Sequence, residues 1–121
     1  MAKKILLVED DPTIIQMYTI KFKEKYEVVQ TGDGASALEL AKKEQTDIIL
    51  LDIIIPQLDG FEVLTRLKAD SALKNIPVIL LTNLAQDSDK EKGEKLGAKA
   101  YMVKAEYTPT QVLTKIEEYL K

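Results

Sequence analysis

The sequence predicts an α/β protein built as a doubly wound parallel sheet with helices on both faces. Short apolar runs alternate five times with longer amphipathic stretches along the 121 residues. Two of the runs, Ile48-Ile49-Leu50-Leu51 and Val78-Ile79-Leu80-Leu81, are apolar at every position, as central strands covered on both sides must be. A composition that is 45% hydrophobic and 31% charged, with only 5 glycines and 4 prolines, is that of a chain able to bury a core. One domain over residues 1–121 is expected.

The first strand is predicted at residues 5–8 and the first helix at 13–25. Pro12 suits the opening turn of that helix, and Ile14, Ile15, Tyr18 and Phe22 form its apolar stripe. A strand at 27–30 and a helix at 35–43 flank the turn residues Gly32-Asp33-Gly34. The third strand, 47–51, leads through a loop containing Pro56 to a helix at 61–69. The fourth strand is 78–82, and the helix after it, 88–96, offers almost nothing apolar. It is expected to be the most weakly anchored helix, either a solvated surface element or one that shifts when a site changes state. Gly97 suits its C-terminal cap. A strand at 100–103 and a helix at 110–120, with Val112, Leu113, Ile116 and Leu120 as its stripe, complete the pattern.

Two absences narrow the chemistry. With no Cys and no His, the usual zinc sites, haem ligation, a thiol nucleophile and a Ser-His-Asp triad are all excluded. A net charge of -3 and a pI near 5.1 argue against direct nucleic-acid binding, which draws on a basic surface. No apolar run approaches the roughly 18 residues of a membrane span, and the N-terminus meets acidic residues too early for a signal peptide. A cytoplasmic protein that does not enter membranes is expected.

In such a sheet, ligands bind beyond the carboxyl ends of the strands. The first strand ends in Glu9-Asp10-Asp11, the third in Asp52, the fourth in Thr82 and the fifth in Lys104. Carboxylates gathered there repel one another, and a cation relieves the repulsion. The all-oxygen donor set suits magnesium, which takes one or two carboxylates together with waters and phosphate oxygens. Asp10 and Asp52 are the expected direct ligands, with Glu9 binding directly or through water. An attacking carboxylate at Asp52, a hydroxyl at Thr82 and an ammonium at Lys104 are the parts a phosphoryl transfer needs. Each residue also has a plainer reading. Asp10-Asp11-Pro12 can be a helix N-cap, Asp52 a loop acid, Thr82 a structural strand end and Lys104 a surface lysine. Their coincidence at four strand ends favours a site.

The motifs Glu9-Asp10-Asp11-Pro12, Asp52-Ile53-Ile54-Ile55-Pro56-Gln57-Leu58-Asp59-Gly60, Leu81-Thr82 and Gly97-Ala98-Lys99-Ala100-Tyr101-Met102-Val103-Lys104 resemble those of response regulator receiver domains of two-component signalling. The resemblance spans the chain, and the stretch around Asp52 is its most specific part. It implies a flavodoxin-like sheet of strand order 2-1-3-4-5. It also implies transfer of a phosphoryl group to Asp52 from the phosphohistidine of a sensor histidine kinase or phosphotransfer protein. By the same analogy Glu9, Asp10, Asp52 and the backbone carbonyl of Ile54 hold Mg2+, Thr82 and Lys104 contact the phosphoryl group, and Tyr101 reports the state of Thr82. Phosphate on Asp52 would draw Thr82 inward and let Tyr101 turn into the vacated space. A downstream protein partner would then read the face formed by the fourth helix, fifth strand and fifth helix. Because the sequence ends at Lys121 after the fifth helix, output through a partner, as in stand-alone receivers, is expected.

Two departures from the family pattern carry expectations of their own. Ala105 follows Lys104 where the family usually has Pro, often with a cis bond; a cis bond before Ala would cost about 2.5–4 kcal/mol, so a trans or strained bond and a rearranged loop are expected. Ile54 and Leu84 are apolar where family members use polar side chains to help water reach the acyl phosphate, so a long-lived phosphorylated state is expected. The rival readings are a phosphorylation-independent receiver-like binding module, supported by Ala105, a metal-dependent phosphatase and a flavin protein. The phosphatase would need its nucleophile where Glu9 stands, and the flavin phosphate would be repelled by Glu9-Asp10-Asp11.

Overall fold

The computed structural model describes residues 2–120. Strands β1 (Lys4–Val8), β2 (Glu27–Thr31), β3 (Ile48–Leu51), β4 (Val78–Thr82) and β5 (Ala100–Val103) alternate with helices α1 (Pro12–Phe22), α2 (Gly34–Lys43), α3 (Gly60–Ala69), α4 (Asp87–Lys95) and α5 (Pro109–Glu118). The strands form one parallel sheet of order β2-β1-β3-β4-β5, the flavodoxin-like arrangement. Its two faces bury separate cores. Leu6, Val8, Ile49, Leu51 and Leu80 pack with Ala37 and Ala41 of α2 and with Val63, Leu64 and Leu67 of α3. Ile5, Leu7, Ile48, Leu50, Ile79 and Leu81 pack with Tyr18 and Phe22 of α1 and with Val112, Leu113 and Ile116 of α5. Strands β3 and β4 are buried at every position, as their unbroken apolar runs require.

Element ends differ from the sequence expectation where side chains bond to backbone. Helix α1 starts at Pro12 because Asp11 caps it, and it stops at Phe22 with Lys23 as C-cap. Helix α5 starts at Pro109, behind a Thr108–Gln111 capping box. Asp47 lies outside β3, and its carboxylate accepts from the Lys4 amide at 2.7 Å. Gly34 and Gly60 open helices instead of sitting in loops. A Cβ on Gly60 would lie 2.3 Å from the Asp52 carbonyl oxygen and 2.6 Å from Ile53 Cα, so the Asp59-Gly60 pair lets α3 start hard against the residue that ends β3.

Helix α4 is the loosely held element that its sequence announces. Gly93 is its only buried residue, and no side chain caps its N-terminus. Gly97, at φ +104°, closes its C-terminal end.

Candidate functional site

Register brings the acidic residues together. Val8 pairs with Leu51 across β1 and β3, so the residues that follow, Glu9 and Asp52, leave the sheet side by side. Glu9 is 2% exposed and Asp52 7%, while Asp10 is open to solvent. One carboxylate oxygen from each of the three lies within 4.8 Å of the others. Backbone amides orient the buried pair: Ile54 N donates to Asp52 Oδ1 at 3.2 Å, and Asp11 N donates to Glu9 Oε1 at 3.2 Å. Asp11 itself is the helix cap, accepting from Thr13 N at 2.9 Å and Ile14 N at 3.3 Å. Within the acidic run, Asp11 is thus the helix cap, while Glu9 and Asp10 lie in the carboxylate cluster.

Lys104 extends from the end of β5 and donates to Asp52 Oδ2 at 2.7 Å and to Glu9 Oε2. There is no cis peptide among the described residues, and Lys104–Glu106 form a single 3-10 turn. The expected trans bond is present, and the ammonium reaches both carboxylates. Burial disfavours charge on Lys104, but the bonds and charges of Asp52 and Glu9 outweigh it and leave the pKa raised. Burial also raises the pKa of Glu9, and Lys104 only partly offsets that effect.

Thr82 is fully buried at the end of β4, opposite Val103, the residue before Lys104. Its hydroxyl oxygen accepts weakly from Leu84 N at 3.4 Å. Tyr101 does not join the acidic cluster. It pairs with Leu80 across β4 and β5, and its hydroxyl donates to the Leu84 carbonyl at 2.6 Å. The ring is thus turned in and half-buried, not lying exposed on the edge strand. Burial first, then the charges of Asp89 and Asp52, push its pKa up to about 12. Ile54 is 61% exposed beside the carboxylates, and Leu84 is partly buried.

Some contacts were not legible beforehand. The acceptor for Tyr101 is a backbone carbonyl, which no residue pattern marks. Lys92 of α4 lies 4.4 Å over the Phe61 ring of α3. Gly93, a glycine inside a helix, was the one available signal of close packing at α4.

Three carboxylates with no nitrogen or sulfur donor, one of them solvent-open, fit a hard divalent cation that keeps part of its water. The profile of the response regulator receiver domain matches residues 5–117. The polar-differentiation response regulator DivK of Brucella anthropi is 36% identical over 121 residues, covering 99% of this chain and 98% of DivK. The alkaline phosphatase synthesis transcriptional regulatory protein PhoP of Bacillus subtilis is 34% identical, and the chain spans about half its length, as it does of the Synechocystis regulator RpaA. The structure of the chemotaxis response regulator CheY4 of Vibrio cholerae superposes with a TM-score of 0.91 at 30% identity, covering 99% of this chain and 100% of CheY4.

Proposed function

This chain belongs to the response regulator receiver domain family, and we propose that Asp52 is its phosphoacceptor. It is a phosphorylatable signalling switch and not a turnover enzyme. The observation that carries the assignment is the Asp52 carboxylate itself, ending a fully buried strand and bonded to Ile54 N and Lys104 Nζ beside Glu9 and Asp10.

A carboxylate oxygen of Asp52 attacks the phosphorus of a phosphohistidine. The new O–P bond forms as the P–N bond breaks, the electron pair stays on the imidazole, and an acyl phosphate results. The chain has no His and cannot be its own donor, so the donor is a sensor histidine kinase or phosphotransfer protein. Glu9, Asp10, Asp52 and the Ile54 carbonyl would hold Mg2+. Bound there, the ion would neutralise charge on the transferring oxygens. Lys104 supplies a fixed cation and Thr82 a hydroxyl to those oxygens. Exposed Ile54 and partly buried Leu84 keep polar groups away from the acyl phosphate and slow its hydrolysis.

Output follows from a population shift. The phosphoryl group favours the arrangement in which Thr82 is drawn in and Tyr101 stays inside, and a protein partner reads the α4, β5 and α5 face. Residues 1–121 act as one domain, as the near-equal length of the DivK relative suggests. No helix among the described residues is long and apolar enough to cross a membrane. The rival binding-module reading drew its support from Ala105, and Lys104 reaches Asp52 and Glu9 in spite of that residue.

The test is intact mass after incubation with magnesium and acetyl phosphate, with Asp52→Asn alongside. One phosphoryl mass on the native chain only, lost on chelation, is expected. No addition with either acetyl phosphate or a cognate kinase would remove the phosphoacceptor assignment.

A further inference from the structure

Gly93 is out of place by every local rule. It sits inside α4, where glycine weakens a helix. Its φ is not in the left-handed region, which among the described glycines only Gly97 occupies. Conformational freedom therefore does not explain it, but space does. A Cβ at this position would lie 2.6 Å from Leu80 Cδ1 and 3.2 Å from Tyr101 Cδ2. Leu80 and Tyr101 are register partners across β4 and β5, so the bare backbone of α4 rests directly on that pair. Leu80 is fully buried and has little room to retreat in a close-packed core. The inward Tyr101 is held at its other end by the Leu84 carbonyl.

We propose that Gly93 is a positioning residue of the switch: the missing side chain is the slot that lets α4 dock while Tyr101 is turned in. This rests on the reading of Tyr101 as the switch aromatic. As Gly93 is the only buried residue of α4, this contact ties the position of the helix to the orientation of the ring. A Cβ at 93 would overlap the Leu80 methyl and crowd the inward ring, and with Leu80 locked in the core the strain falls on the ring and on the helix. Either the ring leaves or α4 lifts, and both remove the burial and the nearby Asp89 charge that distinguish the Tyr101 phenol.

Gly93→Ala separates this from a purely structural role, because helix propensity and steric fit then act in opposite directions. The measurement is a tyrosine absorbance titration of the native chain and of Gly93→Ala, each with and without Tyr101→Phe, so that the Tyr101 phase is identified by difference. In the native chain that phase is expected at about 12, and in Gly93→Ala it should move towards the ordinary 10.0. A phase that stays near its native position, in a variant that melts hotter than the native chain, would overturn the proposal. Should Gly93→Ala be too unstable to titrate, unfolding of Gly93→Ala in a Tyr101→Ala background decides. Removing the ring frees space for the Leu80 methyl, so the alanine is expected to be tolerated there. Equal damage in both backgrounds refutes the slot. Phosphoryl addition to Asp52, read by mass on the same samples, reports separately on the phosphoacceptor assignment, since Gly93 touches none of its residues.

Discussion

Replacing Lys104 with Met keeps most of the aliphatic stem and removes the one cation between two buried carboxylates. Glu9 and Asp52 would then face each other with oxygens no more than 4.8 Å apart, a repulsion of about 3.5 kcal/mol at an effective dielectric constant near 20. The chain can escape by protonating one of them. From an ordinary pKa of 4.5, that costs about 3.4 kcal/mol at pH 7. The two limits agree, so a loss of about 3 kcal/mol is expected, at the lower end for breaking a buried ion pair. At a urea dependence of about 2 kcal/mol per molar, this moves the midpoint down by about 1.5 M.

The pH dependence of the same variant follows in sign. Glu9 has a raised pKa because burial disfavours its charge, so its contribution to stability is fully present below 4.5 and is lost as pH rises through the folded value. Removing Lys104 raises that folded value further, and the deficit should shrink towards nothing near pH 4.5. Lys104 itself has a raised pKa, so the advantage that the native chain holds above pH 4.5 persists up to 10.5 and is lost as pH rises through the folded value. Magnesium at about a hundredfold excess over its dissociation constant adds about 2.7 kcal/mol and should bring the variant at pH 7 close to the stability of the metal-free native chain. A deficit under about 1 kcal/mol at pH 7, or one that does not change between pH 7 and pH 4.5, would refute the claim that Lys104 neutralises this pair.

Two further outcomes can be stated. Gly60→Ala sets a methyl 2.3 Å from the Asp52 carbonyl oxygen and should lose about 3 kcal/mol or more together with phosphorylation. Gly32→Ala meets nothing nearer than 3.6 Å and should change stability by no more than about 0.5 kcal/mol; equal losses in denaturant titrations would show that close approach is not what selects glycine at 60. Ile54→Asn with Leu84→Gln brings polar groups to the acyl phosphate and should shorten its lifetime about tenfold, a barrier change of about 1.4 kcal/mol. An unchanged decay of the phosphorylated mass after removal of the donor would exclude these two side chains as the brake.

The sheet was legible because its period was unambiguous. Ile48 to Leu51 and Val78 to Thr82 are buried at every position, and runs this short, bounded by turn residues, suit a covered strand better than a buried helix. The cluster was legible for a related reason: strand ends in a parallel sheet share one edge, so Glu9, Asp52 and Lys104 had to meet once the strands were placed. What escaped were contacts in which backbone is one partner. Thr108 caps α5 one residue earlier than periodicity suggested, since a cap is set by a single hydrogen bond and not by a pattern. The Leu84 carbonyl that holds Tyr101 has no side-chain signature. The substitution of Ala105 for Pro looked like a threat to Lys104, yet the 3-10 turn begins at the lysine and leaves its ammonium on Asp52.

The layout also determines where a disturbance at the site goes. Lys104 follows Val103, the last residue of a strand only four residues long, and Tyr101 lies in that same strand. A new charge on Asp52 that re-aims Lys104 must therefore pull on the end of β5. On one side of β5 stands α5, fastened by buried Val112, Leu113 and Ile116. On the other stands α4, with only Gly93 buried and no side-chain cap. Motion takes the side with less buried apolar surface to give up. The helix least able to hold its place is thus the one set against Tyr101, the proposed switch aromatic.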